Sequence, residues 1–200
     1  TADARDDDRT ANAALQLAAL ARLEGGQAHE AKRLLLDLPA GSVPLVLEGR
    51  VLTATGQAAL GIERLIAGFN QQQDDFNAYH LGVGLVQAGG SERLLEMARS
   101  GQHPPAPLIA AARGAHDAHA YGLAGELAEL AGGRVSGREL ALAAFVAARA
   151  WARAGAGERS LLALRAAVRA DPDYARAAAA DTAFAGLHGP QFDAALRGVS

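Results

Sequence analysis

AFVAARAWARAGAGERSLLALRAAVRADPDY, residues 144–174, reads as two helical stretches divided by glycine and stopped by proline. Its tryptophan, Trp151, is expected between those two helices, near Leu164 and Ala167. Upstream, the same arrangement returns at intervals of about thirty residues, the range of helical repeats. One copy runs from Leu15 and Ala19 through Gly26 to Ala31, another from Leu45 and Gly49 through Gly56 to Gly61, and a third from Ala78 and Gly82 through Gly89 to Leu94. A lone hairpin cannot bury its apolar face, so a fixed period implies hairpins stacked on their neighbours.

Composition agrees with an all-α chain. Half of the 200 residues are apolar, enough for a core. Alanine and leucine dominate, while aromatic and β-branched runs are scarce, which favours helix over strand. A single lysine, Lys32, among many arginines and alanines implies a GC-rich bacterial coding sequence. With no cysteine, disulfides, thiolate metal sites and cysteine nucleophiles are excluded. The formal net charge of −3 supplies no strong field toward nucleic acid or membrane, and no apolar run approaches the ~20 residues that span a bilayer. A cytoplasmic location is expected, with a periplasmic or exported form as the alternative because the chain begins at Thr1 and not at Met.

Residues 1–9 are polar and acidic, with Asp3, Asp6, Asp7 and Asp8, and read as a flexible arm whose Asp8 or Thr10 caps the first helix. Residues 10–200 read as one domain. Helices are expected over Ala11–Glu24, around Leu34, Leu35 and Leu38, over Leu45–Ala54, and around Ile62, Leu65, Ile66 and Phe69. A third hairpin carries Phe76, Tyr79, Leu81 and Leu85, then Ser91 as the cap of a helix with Leu94, Leu95 and Met97. Gly49, Gly82 and Gly84 mark close helix contacts, since glycine inside a helix otherwise costs about 1 kcal/mol. After the prolines of 104–107, a fourth hairpin is expected as Leu108–Arg113 and Asp117–Leu130. Ser136-Gly137-Arg138-Glu139 is the S-x-x-E capping box of the next helix. Phe184, Leu187, Phe192 and Leu196, with Gly189-Pro190, form a C-terminal cap that closes an exposed apolar end.

In the last hairpin, Ala144, Ala147, Ala148, Trp151, Ser160, Leu164, Ala167 and Pro172 occupy the places of the small, aromatic and proline signature residues of the tetratricopeptide repeat (TPR), and the segment resembles that family. It departs in having alanine early in the first helix, where a large residue is common, and Ser160 where alanine is usual. The resemblance implies a right-handed superhelix, an α-solenoid of about five hairpins. It further implies a concave groove lined by the first helices, with Gln16 and Leu20, Val46 and Arg50, Tyr79 and Val83, and Phe145 and Arg149 on it, and His80, Thr53 and Arg153 beside them. The family's Lys, Asn and Arg clamp for a terminal carboxylate is not reproduced. The implied occupant is an extended or helical peptide with some acidic residues, held without catalysis.

Sites of chemistry are sparse. His116-Asp117-Ala118-His119, with His103 upstream, has metal-ligand residue types, but nothing in the spacing supplies converging third and fourth ligands. No phosphate-binding loop is present, and LGVGL from Leu81 sits inside a helical period. No cofactor or metal is therefore assigned. Two other classes stay open: a regulatory or assembly domain of a larger bacterial protein, such as a transcriptional regulator or secretion component, and a helical protein that binds a small ligand or metal.

Overall fold

The computed structural model describes the backbone of residues 2–198 and the side chains of residues 9–198. All regular structure among them is helical: α1 (Ala2–Glu24), α2 (Ala28–Leu36), α3 (Leu45–Ala54), α4 (Ala58–Gln71), α5 (Asp75–Gln87), α6 (Ser91–Arg99), α7 (Pro105–Asp117), α8 (Tyr121–Gly132), α9 (Gly137–Arg153), α10 (Gly157–Ala170) and α11 (Asp173–Ala180), a 3-10 turn at Thr182–Leu187, then α12 (Pro190–Leu196). The first ten helices follow one another as five consecutive pairs, and the remainder closes the C-terminal end.

Every pair turns by the same chemistry. One residue enters the left-handed region, at Gly26 (φ 75°), Gly56 (86°), Gly89 (74°), His119 (63°) and Gly155 (77°). The next amide then donates to the carbonyl five residues back: Gln27 to Arg22 (2.8 Å), Gln57 to Leu52 (2.8 Å), Gly90 to Leu85 (2.7 Å), Ala120 to Ala115 (2.9 Å) and Ala156 to Trp151 (2.9 Å). These bonds occupy carbonyls that a helix end otherwise leaves without partners.

Several expected boundaries are corrected. Helix α1 starts at Ala2, so from that residue on the arm expected over 1–9 is helical and Thr10 lies inside the helix; the side chains of Asp3, Asp6, Asp7 and Asp8 lie outside the described residues. Pro105 opens α7 at a position where a missing N–H costs nothing, so the prolines start that helix three residues earlier than expected. Asp117 ends α7 and does not cap α8, because the chain turns at His119. Gly90, not Ser91, is the N-cap of α6. Ser136 is the N-cap of α9 but makes no side-chain cap bond: Gly137 takes φ 58° and turns the chain away from the geometry a capping box needs.

First helices touch the first helices of neighbouring pairs, α1 with α3, α3 with α5, α5 with α7 and α7 with α9. The central ones are buried on nearly every side; in α7 the run Pro107–Ala112 plus Gly114 and Ala115 is buried. Such burial requires small residues at the crossings. A Cβ on Gly82 would overlap the Ala111 carbonyl, and one on Gly114 would overlap the Tyr79 carbonyl. Within and beside α3/α4, a Cβ on Gly49 would lie 2.7 Å from Leu65 Cγ, and one on Gly84 would lie 2.6 Å from Leu65 Cδ1. The contact role read for Gly49, Gly82 and Gly84 holds.

The apolar core is distributed along the stack as three clusters, with Ala19, Leu23 and Leu47 at the N-terminal end, Leu65, Leu81, Leu108 and Leu127 in the centre, and Leu164, Phe184 and Phe192 at the C-terminal end. Trp151 is buried, but in the central cluster, whereas Leu164 belongs to the C-terminal one. Its ring lies on Gly125 of α8, its Nε1–H donates to Glu129 Oε1 (2.7 Å), and the Arg159 guanidinium sits 3.6 Å above the ring centroid. Ser160 donates to the Ala148 carbonyl (2.8 Å), a buried bond across the hairpin that alanine could not make.

Gly82→Ala should lower stability by about 1–3 kcal/mol or more, because the added methyl meets backbone and not a movable side chain. Gly122→Ala, where a Cβ meets nothing within 4 Å, should be neutral or stabilising by up to about 1 kcal/mol. Denaturant titration of both variants checks the opposite signs. Trp151→Ala should cost about 3–5 kcal/mol; a parental melting curve would show that the ring contributes nothing to the core.

Candidate functional site

The residues expected to line a concave groove divide by burial. Val46 and Val83 are core residues, and Arg50 and His80 are 2% and 4% exposed. Those four side chains are therefore largely enclosed by neighbouring helices. Thr53, expected beside them, is half-buried. Gln16, Leu20 and Tyr79 are also half-buried; Gln16 Nε2–H donates to the Ser42 carbonyl (2.8 Å), and Leu20 packs on the N-terminal cluster. Phe145 packs against Tyr174 (4.7 Å between centroids) and Phe184 (6.1 Å). Arg149 pairs with Asp181 (2.6 Å), and Arg153 donates to Thr182 Oγ1 (3.2 Å), so both tie α9 to the C-terminal cap.

Burial of Arg50 leaves a polar cavity of about 460 Å³, bounded by Glu24, Gly26, Arg50, Thr53, Ala54 and Gln87 among others. Glu24, Ala54 and Gln87 are the last residues of α1, α3 and α5. Three helix C-termini, each with a partial negative charge, thus meet at one place. Arg50 Nη1 donates to Glu24 Oε1 (2.6 Å) and to His80 Nδ1 (2.9 Å). That second bond puts the His80 proton on Nε2. Burial, reinforced by the Arg50 charge and opposed by Glu24, pushes the His80 pKa down to about 4, so the ring is neutral near pH 7. Arg50 Nε and Thr53 Oγ1, three residues apart on α3, are buried without a hydrogen-bond partner among the described residues.

Next to this cavity Tyr79 donates its hydroxyl proton to Asp117 Oδ2 (2.9 Å). Burial and that bond push the phenol up to about 12, which keeps it a donor. Asp117 Oδ1 lies 3.1 Å from His116 Nδ1, and His119 Nδ1 lies 2.9 Å from the Tyr121 hydroxyl. His116 and His119 do not share a helix face, as the first is in α7 and the second is the left-handed turn residue. His103 is at the other end of α7, against Phe69 (5.4 Å) and Gln73 (3.3 Å), a helix of 13 residues away, about 20 Å. Burial and the Arg134 charge push its pKa down. Among the described residues no group of three or more His, Cys, Asp or Glu side chains is placed to hold a metal.

A second concavity faces outward. Between α8 and α10 runs an apolar groove of about 570 Å³ floored by Leu140, Ala144 and Ala147 of α9, with Gly132 and Ala163 on its sides. Leu162 stands on its wall with 67% of its surface exposed. At the rim Arg159 joins Glu129, which also accepts from Trp151. Sequence reasoning missed Glu24, Gln87, Glu129 and Leu162 as site residues. A signal for the first two was present: Glu24, Ala54 and Gln87 each stand two positions before a turn glycine, which places them at one level of the stack.

Comparison of the chain with protein-family models, with curated proteins and with solved structures returns no match.

Because the folded state resists protonation of His80 while the unfolded chain does not, stability is held above pH 6.5 and is lost as pH falls toward 4. Over that window His80 alone accounts for a loss on the order of 3 kcal/mol. His80→Gln retains an acceptor for Arg50 and should flatten this part of the stability–pH curve. An unchanged slope in denaturant titrations at pH 7, 6 and 5 would contradict the buried neutral ring.

Proposed function

We propose that this chain is a non-enzymatic protein-interaction scaffold, a right-handed superhelix of five TPR-like hairpins that holds a segment of another protein in the outer groove between α8 and α10. The observation that carries this reading is the exposed Leu162 on the wall of an apolar groove floored by alanine and leucine. Contiguous exposed apolar surface rimmed by polar residues is a mark of protein-interaction sites.

Small residues on the floor leave depth for the large side chains of an amphipathic helix, the helix-in-groove mode of recognition. Arg159 at the rim favours an acidic residue on the partner's flank. The recurrence of side-chain links between residues about one repeat apart supports the superhelix: Arg50 to His80, Gln73 to His103 and Arg159 to Glu129 each join positions separated by 30.

Selection from a displayed peptide library against the purified protein should enrich acidic amphipathic sequences. Leu162→Asp should abolish their binding while changing stability by no more than about 0.5 kcal/mol, as for other exposed sites. Peptides that bind the variant and the parent equally would remove the groove from consideration.

A further inference from the structure

We infer that the outward face of α10 around Leu162 docks a second copy of this chain, α10 against α10 in antiparallel order about a two-fold axis. The inference goes beyond the groove: Leu162 is shared by the two surfaces, whereas Glu158 and Arg165, which decide the partner, do not line the groove.

Charge on α10 is the deciding observation. Arg159 pairs with Glu129, and Arg169 Nε donates to the Gly198 carbonyl (2.7 Å). Glu158 and Arg165 have no ion-pair or hydrogen-bond partner among the described residues. With Leu162 between them they stand at i, i+4 and i+7, so the three share one helix face, within an arc of about 60°. Glu158 is exposed, Arg165 is half-buried and Leu162 keeps 67% of its surface. One face thus carries an unpaired acid toward its N-terminal end, an unpaired base toward its C-terminal end and an uncovered leucine in the middle.

Such a face is complementary to itself when turned end for end. The midpoint of Glu158 and Arg165 falls between residues 161 and 162, within about 1 Å of Leu162 along the helix axis. A two-fold axis through that point sets each Glu158 opposite Arg165 of the second copy and, at the same time, brings the two Leu162 side chains together. Arg165 pairs through its terminal nitrogens, since its Nε is inaccessible. Antiparallel order also places the positive N-terminal end of each α10 beside the negative C-terminal end of the other. Ala166, exposed one turn beyond Leu162, leaves room for the leucine of the second copy. Other exposed leucines lack this pattern: Leu17 has alanine at 13, 14, 18 and 21, and Leu36 is the last residue of α2. A contact confined to one helix buries little area, so the dimer belongs to the weak, concentration-dependent class.

Sedimentation velocity on the full chain, over a concentration series from micromolar to millimolar, should pass from monomer to dimer. Glu158→Arg and Arg165→Glu should each weaken the dimer by about tenfold or more, because each sets like charges against one another at both ends. Mixed in equal amounts, the two variants should associate as a heterodimer about as tightly as the parent does with itself, since opposite charges then face each other again. Glu158→Arg, at an exposed site, decides alone if Arg165→Glu fails to fold. A parent that stays monomeric throughout the series overturns the inference, as does either folded variant dimerising like the parent. Displayed peptides are scored separately: their binding without self-association would refute the dimer and leave the groove reading, and the reverse would refute the groove alone.

Discussion

A helix can reverse into its neighbour only if its last carbonyls find donors, and here that requirement is met five times by one residue held at positive φ. The turn sets where each second helix starts, and therefore which faces of the pair meet. Four of the five turns use glycine, for which the left-handed region carries no steric penalty. The fourth uses His119 at φ 63°, a conformation that costs a side chain about 1–2 kcal/mol. Its ring is held by the hydroxyl of Tyr121, whose own ring lies beside that of His116. The strain therefore sits within an aromatic and polar cluster that also takes in Asp117 and Tyr79.

Once the pairs are formed, residue size separates two kinds of surface. Glycine at 82 and 114 brings α5 and α7 to backbone contact. Helices α8 and α10 make no such glycine crossing with one another, and the space between them stays open. The apolar concavity thus lies between second helices and not between first helices. Polar character, in contrast, collects where first helices end, because Arg50 is too long to be packed away without partners and draws Glu24 and His80 to it.

Much of the architecture was legible in the sequence. Residues 45–54 were read as a helix and form α3 with those bounds, because a proline start and a glycine turn delimit an apolar run. Phe184, Phe192 and Gly189-Pro190 were recognised as a cap for the same reason: local signals sufficed. The α7–α8 boundary was not legible, since a histidine occupies the left-handed position and nothing local distinguishes it from a helical residue. The burial of Val46, Arg50, His80 and Val83 was not legible for a different cause. Register along one helix says which residues share a face, but not whether a glycine on another helix lets its backbone press against that face. The mostly apolar and small residues of α5 from Leu81 to Leu85 were the available sign that this part of the helix is covered on all sides.

The order of helix contacts also determines how the protein comes apart. Helices α5 and α7 have neighbours on both sides along the stack, whereas α1 and α2 have neighbours on one side only. Detaching an end therefore forfeits fewer helix contacts than breaking the middle. Amide hydrogens should accordingly exchange with solvent along a gradient: those of α1 and α2 through partial opening, those of α5 and α7 only when the whole chain unfolds. The polar cavity bridges these regimes, since Glu24 belongs to the first helix to detach and Arg50 and Gln87 to helices nearer the slow centre.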